Sequence, residues 1–151
     1  MRGDYLSWIK NEVSRIVKKH KTTDPFEIAS NKNINVVLWD LHDEIKGFYK
    51  YDKRNKYIFI NSNLDDTSQR FVCSHELGHA ILHPRANTPF LREKTLFSIN
   101  KLEVEANTFA VELLIQDDYL CEYKDTSLSI NEIGEIYGVP GQLAHLKNFA
   151  F

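Results

Sequence analysis

The chain has 151 residues, 42% of them hydrophobic, enough for one well-buried core and too few for two ordinary domains. A formal net charge of -2 argues against a strongly basic nucleic-acid or anionic-membrane surface as the main business of the fold. Two cysteines, Cys73 and Cys121, are too few for a disulfide framework, and no apolar run approaches membrane-spanning length, so a soluble cytoplasmic protein is expected.

Residues 4–20 set Tyr5, Trp8, Ile9, Val13, Ile16 and Val17 at helical spacing opposite Lys10, Glu12, Arg15, Lys18 and Lys19, an amphipathic helix. Its basic end, Lys18-Lys19-His20-Lys21, reads as a solvated last turn that complements the helix dipole. Thr22-Thr23-Asp24-Pro25 opens a short helix to about Ser30, which Asn31-Lys32-Asn33 ends. Residues 34–41 are rich in β-branched and aromatic side chains, and 45–51 and 56–61 alternate around the turn Asp52-Lys53-Arg54-Asn55. Asp65-Asp66-Thr67 caps a helix over 67–83 that Pro84 terminates. Residues 85–100, polar and containing Asn87 and Pro89, read as a loop bordering a cleft. Residues 101–115 return to helical periodicity, with Leu102, Ala106, Phe109, Ala110 and Leu113 facing inward. Two more helices are expected over 129–137 and 141–148, separated by Gly138-Val139-Pro140. The fold class is α+β: one domain over 1–151, with a small three-stranded sheet and its hairpin packed on a helix pair and flanked by further helices.

The helix over 67–83 carries His75-Glu76-Leu77-Gly78-His79. Histidines four apart on a helix differ by only about 40° around the axis, so both imidazoles reach one ion. Glu76 lies a further ~100° round, towards the open coordination position, where a carboxylate can take a proton from water at the metal. The chemistry needs these residue types in this order, and zinc is the ion such a site takes. The back of the helix, Cys73, Leu77, Ala80 and Ile81, is apolar as well, so the helix should be buried nearly all round. Gly78 in mid-helix costs about 1 kcal/mol relative to Ala, which suggests that something passes close to the backbone there.

A catalytic zinc wants a third protein ligand, and residues 101–115 offer Glu103 and Glu105. At about 100° per residue Glu103 borders the apolar face, whereas Glu105 falls on the outer face with Thr108 and Glu112, as a solvated neighbour. Glu103 is therefore the expected ligand. Small Ala106 and Ala110 let the two helices approach, and Asn107, one turn on, is set to hydrogen-bond a ligand from behind. His83 stands where the helix is ending, and the longer three-histidine pattern would need histidine where Arg85 is, so His83 is not expected to bind the metal. Tyr119, Tyr123 and His145 are the candidates for steadying a developing oxyanion.

With these segments assembled, the chain resembles the ImmA/IrrE family of bacterial and phage zinc metallopeptidases, a small branch of the gluzincins. The resemblance lies in Gly47-Phe48-Tyr49, in Tyr57-Ile58-Phe59-Ile60-Asn61, in residues 70–83 around the histidine motif, and in residues 102–114. It implies a minimal gluzincin-like fold, zinc held by His75, His79 and Glu103, and Glu76 as general base. Gln116 departs from the family's usual proline and leaves the end of that helix open. The resemblance also implies a substrate: a helix-turn-helix repressor of a phage or mobile element, which such anti-repressors cleave.

Two other classes compete with a zinc endopeptidase. One is a metal-containing regulatory module that acts on a repressor by contact, without proteolysis. The other treats residues 129–149 as helix-turn-helix-like, but the second segment offers only His145 and Lys147 as basic candidates, too few to neutralise several phosphates. Packing or repressor docking is the better reading of those helices, with no direct nucleic acid expected. An extended substrate could add to the sheet edge near residues 56–61.

Overall fold

The computed structural model describes the backbone of residues 2–149 and the side chains of 6–149. It is an α+β arrangement of a three-stranded mixed sheet, seven α-helices and a 3-10 segment among the described residues. Helix α1 (Arg2–His20) buries Leu6, Ile9, Val13 and Ile16. Trp8, expected in that stripe, is 44% exposed instead, because the buried spacing of 6, 9, 13 and 16 leaves position 8 on the far side. The Tyr5 side chain lies outside the described residues. Helix α2 (Pro25–Asn31) is capped by Asp24, whose carboxylate accepts from Phe26 N, and carries Pro25 in the first turn where no amide is needed.

Strands β1 (Asn35–Trp39), β2 (Gly47–Asp52) and β3 (Asn55–Asn61) follow. The hairpin turns on Lys53 and Arg54, both at positive φ (50° and 69°), as a two-residue primed turn requires. Strand β1 pairs with β3 in parallel, so the order is β1-β3-β2 and β3 is the central strand. This corrects the expected substrate edge: residues 57–60 are paired with β1 on one side and β2 on the other, so β3 exposes no edge there. The buried Asn61 side chain donates to the carbonyls of Leu41, His42 and Ile45 and so shapes the loop between β1 and β2.

The inner sheet face, with Ile58 and Ile60, packs on α3 (Asp66–Leu82) beside α2. Lys56 Nζ donates to Ala80 O at 2.9 Å and Tyr49 Oη to Pro84 O at 2.5 Å, pinning the end of α3 to the sheet. Between α3 and α5 (Lys101–Leu114), residues 85–100 are not loop alone. Leu91 pairs with Gly47 at the β2 edge, and Glu93–Leu96 forms the short helix α4. Helix α5 packs on α3 and α1 and against residues 141–146, so eleven of its fourteen residues are buried. It ends at Leu114, and Gln116 caps it by donating to Glu112 O and Leu113 O. Helices α6 (Asp117–Glu122) and α7 (Ile130–Ile136) complete the chain with a 3-10 segment, Gly141–Leu146, where a helix over 141–148 was expected. Gly141 and Leu143 are buried there, and Lys147 is held in ion pairs with Glu112 and Asp117, so this segment presents no recognition helix. No described helix is long and apolar enough to cross a membrane.

Candidate metal centre

The site forms where α3 and α5 touch. Asp65 caps α3 through Ser68 N at 2.7 Å, and ten consecutive residues from Phe71 to Ala80 are buried. The close passage suggested by Gly78 is α5 itself: a Cβ there would stand 3.2 Å from Ala106 Cα and 3.1 Å from Phe109 Cβ. This approach brings Glu103 across the gap to the histidines. Its Oε2 is 3.1 Å from His75 Nε2 and its Oε1 is 3.2 Å from His79 Nε2. The three ligand atoms lie within 4.8 Å of one another, and the residues are 1–2% exposed.

The polar atoms at the centre lack hydrogen bonds: His79 Nε2 and both Glu103 oxygens are buried without a partner of acceptable geometry. Buried polar groups are rarely left so, and here they converge on one point. Ligands at about 2.0–2.1 Å in a tetrahedral set sit roughly 3.3 Å apart, which matches the two nitrogen–oxygen separations. The donor set, two imidazoles and a carboxylate, suits a borderline divalent ion. The residues therefore fit a metal ion.

The electrostatics agree with a built centre. Burial opposes the charge on Glu103, but the two imidazoles facing it outweigh burial and pull the carboxyl down to about 2. Burial lowers His79, whereas at His75 burial is overcome by Glu103 and Glu76 and the pKa rises. Glu76 is pushed up to about 7, chiefly by burial, with His75 opposing and Glu103 reinforcing. Its Oε2 also lacks a hydrogen bond.

Behind the centre, His75 Nδ1 donates to Asn107 Oδ1 at 2.8 Å, and Asn107 Nδ2 donates to Leu96 O at 2.8 Å. His83 is outside the ligand cluster but not outside the site. Its Nδ1 is 3.0 Å from His79 Nδ1, and its Nε2 is 2.8 Å from Glu105 Oε1. Glu105 is accordingly 5% exposed, and Thr108 and Glu112 are buried too, which corrects the solvated outer face expected for them. The physical reason is that α5 is covered by α3, α1 and the C-terminal segment, so it has no solvent face. The signal available in the sequence was the stripe His75, His79, His83 at two successive four-residue steps.

Tyr119 and Tyr123 pack in an aromatic group of their own. Both contact Tyr137, Tyr119 stacked at 4.6 Å between centroids. They follow Leu114, eleven residues beyond Glu103, which is roughly 16 Å along the α5 axis. His145 is exposed in the 3-10 segment and does not belong to the ligand cluster.

The profile of the peptidase M78 family, described as an IrrE N-terminal-like domain, matches residues 29–147. The chain belongs to the ImmA/IrrE family of metallopeptidases. It is 61% identical over 149 residues to the uncharacterized immunity region protein 2 of Bacillus phage phi105, covering 99% of this chain and 94% of that one. It is 32% identical over 141 residues to metallopeptidase ImmA of Bacillus subtilis (strain 168), covering 92% and 83%.

Proposed function

We propose that this member of the family is a zinc endopeptidase that cleaves a helix-turn-helix repressor of a phage or mobile element. The observation that carries the reading is the buried convergence of His75 Nε2, His79 Nε2 and the Glu103 carboxylate, with partnerless atoms aimed at one point. When bound there, zinc would polarise a peptide carbonyl and activate water. His75, His79 and Glu103 would hold it, and Asn107 would fix the ring of His75. Glu76, adjacent in sequence to a ligand and raised to about 7, would take a proton from the attacking water and return it to the leaving amine. In support of the substrate, the phage relative is named for an immunity region.

An extended substrate would add to β2 rather than β3. In a two-residue hairpin Asp52 and Asn55 form the closing hydrogen-bonded pair, so Tyr49 and Tyr51 turn their amides and carbonyls outward along the edge that Leu91 continues at Gly47.

One observation favours a second reading, in which the protein acts on a repressor by contact alone: Glu76 and the histidines are only 1% exposed, so a peptide reaches them only after the surroundings open. Turnover separates the two. Where a helix-turn-helix repressor is encoded beside its gene, purified protein with zinc is mixed with that repressor; discrete fragments that a chelator abolishes support the peptidase. A repressor that binds and stays intact at matched concentration supports contact alone.

A further inference from the structure

The geometry points to His83 and Glu105 as positioning residues: a buried relay, Glu105 to His83 to His79, that fixes which nitrogen of His79 carries its proton and so presents a bare Nε2 to the metal. The inference rests on the metal reading above and adds two residues to it.

The direction of each bond can be worked out from the two ends. A carboxylate only accepts, so the 2.8 Å contact with Glu105 Oε1 requires the proton on His83 Nε2. At the inner end, a proton on His79 Nε2 would be buried with no acceptor of acceptable geometry, so the proton belongs on Nδ1, which donates to His83 Nδ1 at 3.0 Å. The proton of neutral His79 is thereby on Nδ1, and Nε2, partnerless and 3.2 Å from Glu103 Oε1, offers a lone pair. Both His83 and Glu105 are more than nine-tenths buried, so water does not compete for these bonds.

The other ligand is set in the same way by different residues. Leu96 O can only accept, so Asn107 must turn its Nδ2 to it and its Oδ1 to His75, and His75 Nδ1 must donate. Two independent arrangements, an amide locked by a backbone carbonyl and an imidazole locked by a carboxylate, thus leave both Nε2 atoms bare and facing Glu103.

The test has two arms. In metal-free, 15N-labelled protein, long-range proton–nitrogen spectra should show His79 protonated at Nδ1, and His83→Leu should move that proton towards Nε2. Zinc affinity, read by competition with a chromophoric chelator, should fall roughly 10–100-fold in His83→Leu and about tenfold in Glu105→Ala, which probes the same relay if the first variant folds poorly. His83→Gln, which keeps an acceptor and a donor, should stay within roughly threefold of the parent. The relay is overturned if His79 is protonated at Nε2 in the parent, or if the Leu and Ala variants hold zinc as tightly as the parent does. A parent that takes up no zinc, yet shows the Nδ1 proton on His79, would sink the metal reading and uphold the relay.

Discussion

Replacing Gly78 with Ala sets two effects of opposite sign against each other. Helix propensity alone favours Ala in mid-helix by about 1 kcal/mol. The added Cβ would stand 3.1 Å from Phe109 Cβ and 3.2 Å from both Ala106 Cα and Ala106 O. None of these is the end of a flexible side chain, so no rotamer change relieves the contact and α3 and α5 must part by a few tenths of an ångström. Overpacking of this kind costs about 1–3 kcal/mol, which outweighs the propensity gain and leaves a net loss of about 1 kcal/mol. For a chain of this size that is a fall of roughly 2–4 °C in Tm. Glu103 stands one turn before Ala106 and moves with it, so metal affinity should fall as well. Urea denaturation and a chelator competition measure both. A variant stabilised by about 1 kcal/mol, with unchanged metal affinity, would refute the close-packing argument.

Three further outcomes follow from contacts away from the centre. Lys147→Met leaves Glu112, 3% exposed, with Asn148 N as its remaining partner, and should cost about 3–5 kcal/mol; a double variant with Glu112→Leu should recover most of it, as denaturant midpoints will show. Native protein should release one thiol to a disulfide reagent, from exposed Cys121, and the second only on unfolding, because Cys73 is fully buried and burial raises its pKa. Burial works to raise the Asp117 carboxyl, but Lys147 and Lys10 outweigh it and hold its pKa below the ordinary value. The sign follows from the depression: this contribution is complete above the unfolded value near 3.9 and is lost as pH falls through the lower folded value. Asp117→Asn should therefore flatten part of the stability loss below about pH 4, with the effect kept small by the half-exposed side chain.

The elements with strong local signals were legible. The Asp65 cap, the histidine spacing, the hairpin turn and Pro84 each act within a few residues, and the structure has α3 and the β2–β3 hairpin where those signals put them. What failed was non-local. Nothing in residues 34–41 says that this strand pairs in parallel with β3, so the central place of β3 is not readable from the sequence. Helical phase on α5 resolves one face against a single neighbour, but α5 has three neighbours, so Glu105 and Glu112 read as solvated although each meets a basic or imidazole partner from a distant segment. The 3-10 form of Gly141–Leu146 was equally hidden, since its apolar spacing suits a short helix of either pitch.

The most direct measurement of the central claim is the Glu76→Gln variant assayed for metal content and repressor cleavage together. Glu76 is proposed to act on the proton and not on the ion, so the variant should take up as much zinc as the parent and yield no fragments. Cleavage at near the parent's rate, or loss of the metal with the carboxylate, would contradict the account.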